Sequence, residues 1–141
     1  MLISKICIIT GGILSLLMVM FHTRFYKLFD WKKDFEKISI KNQKIFYTIH
    51  LALLLLFFVF AFISFAFANE LSQCKGLACG ITLGYSLFWL WRTTWQIVYF
   101  RPMKSQKVDK MIFMHYLLIF IFGILFVVYL VPFILNRFLL F

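Results

Sequence analysis

Four runs of apolar residues, each twenty or more residues long, dominate the chain. They lie at about 2–21, 45–68, 77–100 and 111–135. Each run is long enough to cross the roughly 30 Å hydrocarbon core of a bilayer as a helix. The runs are apolar on all sides, whereas the strands of a membrane barrel alternate. The pattern predicts an all-α polytopic membrane protein: one domain over 1–141, with four transmembrane helices in an antiparallel bundle.

Composition agrees with a membrane protein and argues against a nucleic-acid partner. Hydrophobic residues make up 64% of the 141 residues and aromatic residues 21%. A soluble domain of this size has too high a surface-to-volume ratio to bury so much apolar surface. The net charge of +10 would suggest nucleic acid in a soluble protein. Here the basic residues lie between apolar runs and accompany no recognition motif, so we expect no nucleic acid to bind.

The basic residues are distributed unevenly between the two sides that four spans create. The loop 22–44 holds seven Lys and Arg residues and the loop 101–110 holds four, whereas the opposite side has only Lys5, Lys75 and Arg137. Cytoplasmic loops of membrane proteins carry an excess of Lys and Arg. We therefore predict that both basic loops are cytoplasmic and both termini outside. In a bacterium this means the cytoplasmic (inner) membrane with periplasmic termini.

The loop 22–44 also contains apolar residues at roughly helical spacing. These are Phe25, Leu28, Phe29, Trp31, Phe35 and Ile38. A lysine-rich amphipathic segment is typical of a short helix that lies in the headgroup layer. Each Lys near such a surface contributes on the order of 1 kcal/mol. We predict an interfacial helix between the first two spans that binds anionic phospholipids. A solvated loop that only sets topology is the alternative.

Arg92 is the one charged residue that lies away from the ends of a predicted span. A charge at that depth costs a few kcal/mol. A spacing of four, three, four and three places it on one helix face with Tyr85, Trp89, Gln96 and Tyr99. No acidic residue lies within a predicted span to pair with it. Two interpretations stay open: Arg92 extends to the membrane surface, or it binds a ligand such as an anionic lipid headgroup or a quinone.

The three histidines are predicted to lie on the cytoplasmic side. His22 closes the first span, and His50 and His115 lie about five residues inside the second and fourth spans. A ligand pocket in the inner leaflet would be lined by Arg92, Gln96, Tyr99, His50 and His115. His50 and His115 could instead ligate haem b, and all three histidines a metal ion. Each histidine could also simply bond to a neighbouring group, and we expect no cofactor.

Two further patterns lie at the start of the third span. Gly80 and Gly84 form a small-xxx-small series, which lets another helix approach closely and favours a homo-oligomer or a larger membrane complex. Cys74 and Cys79 lie five residues apart at the outer surface and could form a disulfide. Outward cysteines in a four-helix membrane protein resemble those of thiol-oxidising quinone enzymes, although those enzymes use a CxxC pair.

One group of proteins shares several residues with the first loop and the third span. The shared positions are Phe29, Trp31, Asn42, Gln43, Ile45, Arg92 and Gln96. In these positions the chain resembles a family of uncharacterised small bacterial four-helix membrane proteins. The resemblance covers about half of the chain. It implies the same fold and membrane, but it implies no activity.

Missing motifs narrow the function further. No predicted span contains Asp or Glu for proton coupling, and no phosphate-binding loop, dinucleotide turn, HExxH or GxSxG is present. We therefore do not expect an enzyme. The sequence favours a small inner-membrane accessory or scaffold protein with a pocket for an anionic lipid or a quinone. The alternatives are a b-type haem or metal protein that uses His50 and His115, and a thiol/quinone redox enzyme that uses Cys74 and Cys79.

Overall fold

The computed structural model describes residues 2–100 and 109–139, with side chains described over 2–100 and 112–138. Every element in this part of the chain is helical, as the sequence predicts. The helices are α1 (Leu2–His22), α2 (Phe25–Leu28), α3 (Trp31–Phe35), α4 (Ile40–Ala66), α5 (Ala68–Gln73), α6 (Leu77–Val98) and α7 (Asp109–Ile134), and a π-helical turn follows at Leu135–Leu139. Most of the predicted second basic loop, 101–110, lies outside the described residues.

Three helices are long and apolar enough to cross a membrane: α1, α4 and the segment Ile112–Phe138, which covers most of α7 and part of the π-helical turn. An all-helical chain with three such helices is compatible with an integral membrane protein. The 22-residue helix α6 is not among the three. Arg92 and Gln96 lie in α6 together with several Thr and Trp residues, and these side chains lower its mean hydropathy.

The four long helices contact one another in the order α4, α1, α7, α6. Large aromatic rings connect α6 back to α4: Phe57 stacks on Trp89 at 5.2 Å and Phe60 stacks on Tyr85 at 3.8 Å, between ring centroids. Consecutive long helices run in opposite directions. One end of the molecule, called the loop end below, holds α2, α3 and the C-terminus of α6. The opposite end, called the disulfide end, holds α5.

Tyr129 of α7 lies at the centre of these contacts and is fully buried. Its hydroxyl is 2.7 Å from the Ser64 hydroxyl of α4 and 3.5 Å from the Ser15 hydroxyl of α1. The edge of its ring meets Tyr85 of α6 at a centroid distance of 5.2 Å. A single side chain therefore contacts all three of the other long helices.

Two glycines of α1 allow close helix packing within the chain, whereas Gly80 and Gly84 stay a predicted contact with another protein. A Cβ on Gly11 would lie 2.6 Å from the Tyr129 ring, and a Cβ on Gly12 would lie 2.9 Å from the Phe65 ring. A Cβ on Gly80 or Gly84 would meet nothing within 4 Å. Both of these glycines are exposed on the outer face of α6. They pack against no helix in the described part of the chain.

The connection between α4 and α6 contains a short helix, α5, that the sequence did not predict. It ends at Gln73; the next residue, Cys74, has a left-handed backbone, and the turn continues through Gly76 at φ +51°. A disulfide joins Cys74 to Cys79 across this turn. The side-chain amide of Asn136 donates a hydrogen bond to the carbonyl of Gln73 and holds the π-helical turn against α5.

The first basic loop forms two short helices, α2 and α3, in place of the single helix that was predicted. Asp30 separates them in a left-handed conformation, and its carboxylate accepts a hydrogen bond from Lys33 that raises the pKa of Lys33. The aromatic rings of the loop pack on the start of α4: Phe35 meets Tyr47 at 5.0 Å and Trp31 meets His50 at 5.0 Å, between centroids. The basic side chains of the loop are all exposed.

The close approach at Gly11 leads to a first prediction. Gly11→Ala places a methyl group against the buried Tyr129 ring, so it should lower the free energy of unfolding by roughly 1–3 kcal/mol. Gly84→Ala is the matched control, because it adds the same methyl group where there is open space. The midpoint of unfolding in mixed micelles measures both variants. An equal loss of stability in Gly11→Ala and Gly84→Ala would contradict the close contact between Gly11 and Tyr129.

The Tyr129 hydroxyl leads to a second prediction. Tyr129→Phe keeps the ring but removes the bond to Ser64, so we expect a loss of about 1 kcal/mol in the free energy of unfolding. Ser64→Ala should cost a similar amount. The double variant should lose much less than the sum of the two, since both remove the same bond. Full additivity would show that the two hydroxyls do not interact.

Candidate functional site on helix α6

One face of α6 carries buried polar and aromatic side chains from the middle of the helix to the loop end. Tyr85, Trp89 and Gln96 are 8%, 0% and 7% exposed, and Arg92 is partly buried between them. These four positions follow the predicted spacing of four, three and four. The face lies against α4 and α7. The structure therefore places the predicted stripe in the protein interior as far as Gln96.

Two N–H donors on this face have no hydrogen-bond partner among the described residues. They are Nε1 of Trp89 and Nε of Arg92, and both atoms are shielded from solvent. The two residues are one helical turn apart, so their side chains leave α6 on the same side. A buried donor without an acceptor costs about 1–3 kcal/mol. This pair is the strongest indication of a binding site in the described structure.

Aromatic rings surround both donors. The Trp89 ring lies between Phe57 of α4 at 5.2 Å and Phe122 of α7 at 5.4 Å. The guanidinium carbon of Arg92 lies 5.2 Å from the centroid of Phe122 and 5.8 Å from that of Trp91. Cation–π contacts of this kind offset part of the cost of burying a cation. They satisfy none of its N–H groups.

The described structure gives Arg92 no carboxylate partner. The one ion pair among these residues joins Lys33 to Asp30 in the exposed loop. Asp34 and Glu36 are exposed in the same loop, and Glu70 lies at the disulfide end. The side chain of Asp109 lies outside the described residues.

The three histidines do not gather around one point. His22 and His50 are neighbours at the loop end, with nearly parallel rings whose centroids are 6.1 Å apart. His115 instead lies beside Gln96, with 3.2 Å between Nδ1 and the amide nitrogen. In the described part of the chain, no group of three or more His, Cys, Asp or Glu side chains is close enough to hold a metal ion. The three-histidine metal site is therefore not formed.

Hydrogen bonds fix which nitrogen of each histidine carries the proton. His22 Nδ1 lies 2.8 Å from the carbonyl of Met18, and His50 Nε2 lies 3.0 Å from the carbonyl of His22. A carbonyl accepts only, so both nitrogens donate. Haem ligation through Nε2 of His50 would have to break its bond to His22. The pair His50 and His115 as haem ligands stays a prediction from the sequence.

Tyr99 does not join the site. The helix ends at Val98, and the Tyr99 side chain is 67% exposed. It stacks on Trp95 at a centroid distance of 4.8 Å, and Trp95 stacks on Trp91 at 5.9 Å. These three rings form a ladder on the outer face of α6, which ends next to Arg92 at Trp91.

The disulfide lies far from the donors. Cys79 and Arg92 are thirteen residues apart on helix α6, which corresponds to about 20 Å at the helical rise. Cys7, the free cysteine, is on α1. A quinone bound at Arg92 could not react directly with the Cys74–Cys79 pair over this distance. The disulfide and the α6 donors are therefore separate features, and a thiol/quinone enzyme that uses Cys74 and Cys79 stays a prediction from the sequence.

An apolar groove on the outer side of α7 is also separate from the donors. It has a volume of about 460 Å³ and is lined by residues between Ile119 and Val128 around Gly123. Its walls offer almost no polar surface. The groove provides no group that would orient a polar ligand.

Comparison with known proteins identifies no relative. No protein-family model, no curated protein and no solved structure matches the chain. The function must therefore be argued from the geometry of the site.

Two residues of the site were not proposed as ligand contacts from the sequence. Trp89 appeared only as a member of the aromatic stripe, because spacing does not show whether an indole N–H has an acceptor. Phe122 lies in a continuous apolar run of α7, where nothing distinguishes it from its neighbours. Only the packing of α6 on α7 shows that this ring contacts Arg92.

The histidine hydrogen bonds lead to a third prediction. In the neutral state His22 should be the Nδ1–H tautomer, whereas His50 and His115 should be the Nε2–H tautomer. For His115 this follows because its Nδ1 accepts from Gln96. Long-range ¹H–¹⁵N correlation spectra of ¹⁵N-histidine-labelled protein in micelles distinguish the tautomers. An Nε2–H tautomer at His22 would contradict the described loop end, and Gln96→Leu should change only the His115 signals.

Proposed function

We propose that all four long helices span a bacterial inner membrane, with the basic loops in the cytoplasm and both termini in the periplasm. The unequal distribution of Lys and Arg supports this topology. The packing of α6 against α7 and α4 supports the fourth span, because a helix with Arg92 and Gln96 turned inward presents a mostly apolar surface to lipid. In this orientation the loop end faces the cytoplasm.

The function we propose is that of a small accessory or scaffold protein that binds a lipid-soluble ligand at the α6 site. The ligand class is an anionic phospholipid or a quinone, since each offers an oxygen that accepts hydrogen bonds. The observation that carries this proposal is the pair of unpartnered donors on Trp89 and Arg92. An acceptor oxygen between them would offset the cost of burying both groups.

Energetics favour a bound acceptor over an isolated arginine. Placing Arg at the centre of a membrane helix costs about 2.5–3.5 kcal/mol on insertion scales, and an unpartnered indole N–H adds about 1–3 kcal/mol. A hydrogen bond to a charged donor contributes about 1.5–3 kcal/mol. One accepting ligand would therefore offset much of the combined cost. Ionisable residues inside membranes commonly mark such binding sites.

The basic loop supports a second contact with the membrane. Its seven Lys and Arg side chains are exposed at the loop end, while its aromatic rings pack on α4. We propose that this surface lies against the anionic headgroups of the cytoplasmic leaflet. The exposed glycines Gly80 and Gly84 are proposed as the contact with a second copy or another membrane protein.

Removal of the guanidinium tests the binding site. Protein with Arg92→Leu should lose most of the phospholipid or quinone that co-purifies with the wild type, because the charged donor is gone. Organic extraction followed by mass spectrometry measures the ligand per mole of protein. Arg137→Leu is the matched control, since Arg137 is an exposed arginine near the disulfide end.

If Arg92 binds no ligand, a different result is expected for the Arg92→Leu variant. Arg92→Leu would then leave the extract unchanged and raise the unfolding midpoint in detergent, since a buried unpaired charge would have been removed. That result would contradict the proposed function and favour an arginine that only extends toward the surface.

A further inference from the structure

We infer that the ligand of the α6 site is the carbonyl oxygen of a quinone and not a phospholipid headgroup. This inference rests on the proposed function and narrows its ligand class. Three features of the described site carry it: the depth of the donors, the kind of donors and the aromatic surroundings.

The donors lie below the loop end of the proposed span: Trp89 and Arg92 are nine and six residues before Val98, which ends α6, or about 14 Å and 9 Å at the helical rise. Phe122, the ring beneath the Arg92 guanidinium, is thirteen residues from the start of the 26-residue helix α7. At the helical rise this is about 20 Å along a helix of about 39 Å. Phospholipid headgroups lie outside the roughly 30 Å hydrocarbon core. A quinone head is uncharged, so it can enter that core and reach this depth.

The donors are few and only one is charged. Trp89 provides a neutral N–H, and Arg92 is the one cation among the described residues of this buried face. A phosphate group has several strongly accepting oxygens and commonly uses bidentate Arg contacts or clusters of donors. A carbonyl oxygen has two lone pairs, which matches one N–H from each of Trp89 and Arg92.

Flat rings surround the donors. Phe57 stacks on the Trp89 ring at 5.2 Å, and Phe122 lies tilted against the same ring at 5.4 Å, between centroids. Because these rings cover the Trp89 indole, they exclude water, and an acceptor at the donors would form its hydrogen bonds in a low dielectric. They offer nothing to the glycerol and hydroxyl groups of a phospholipid headgroup.

The site also lies close to the lipid-facing surface. Trp91 is 53% exposed, and its ring is 5.8 Å from the guanidinium carbon of Arg92. Trp95 and Tyr99 extend this aromatic surface toward the loop end. A quinone in the bilayer would therefore reach Arg92 sideways, between α6 and the lipid, without passing through water.

Isothermal titration of the purified full chain in detergent micelles tests the inference. The probes are a decyl-substituted benzoquinone and dioleoyl phosphatidylglycerol, each in the same detergent. We expect the quinone to bind and its Kd to rise roughly tenfold in Arg92→Leu and several-fold in Trp89→Phe, because each variant removes a donor to the carbonyl. Arg137→Leu and Trp31→Phe should leave the Kd unchanged.

The outcomes separate this inference from the proposed function. Phosphatidylglycerol binding that depends on Arg92, without quinone binding, would overturn the inference and leave the proposed function standing. A lack of Arg92-dependent binding of either probe would overturn both. Arg92→Gln keeps an amide donor and Trp89→Phe keeps a smaller aromatic ring in the core, so these milder variants test the site even where Arg92→Leu does not fold.

Discussion

The helices of this protein are held in register by the buried ring and hydroxyl of Tyr129. In a membrane the lipid tails are as apolar as the helices, so close packing and hydrogen bonds must hold the helices together. Tyr129 provides both: Gly11 lets α1 approach its ring, and Ser64 of α4 meets its hydroxyl. Contact with Tyr85 extends this set of contacts to α6.

The same apolar surroundings make the donors on α6 costly. The hydroxyls of Ser64 and Tyr129 form a hydrogen bond with each other at the centre of the molecule. Trp89 and Arg92, which lie about one and two helical turns beyond Tyr85 on α6, each have an N–H that finds no acceptor among the described residues. In most of a folded protein, buried polar groups are paired and side chains are well packed, and the exceptions tend to lie at functional sites. The contrast between these two pairs of polar groups is the physical reason for the binding site that we propose on α6.

Much of the helical pattern could be predicted from the sequence, but the contacts between helices could not. Apolar runs give α1, α4, α6 and α7 to within a few residues, because length and hydropathy are local properties. The spacing on α6 predicts the inward face up to Gln96, but it fails at Tyr99, where the helix has ended.

Packing partners depend on how two helices meet, and the sequence holds little sign of that. Gly80 and Gly84 have the familiar small-xxx-small spacing but face outward, while the adjacent pair Gly11 and Gly12 makes the close contacts. The unpartnered state of Trp89 was hidden for the same reason. The disulfide between Cys74 and Cys79 has a consequence of a different kind. Such bonds persist in oxidising compartments and are rare in the reducing cytosol. The redox state of this pair in living cells therefore reports which side of the membrane α5 occupies: an oxidised pair indicates the outer side, and a reduced pair the cytosol. This indicator does not depend on the distribution of Lys and Arg.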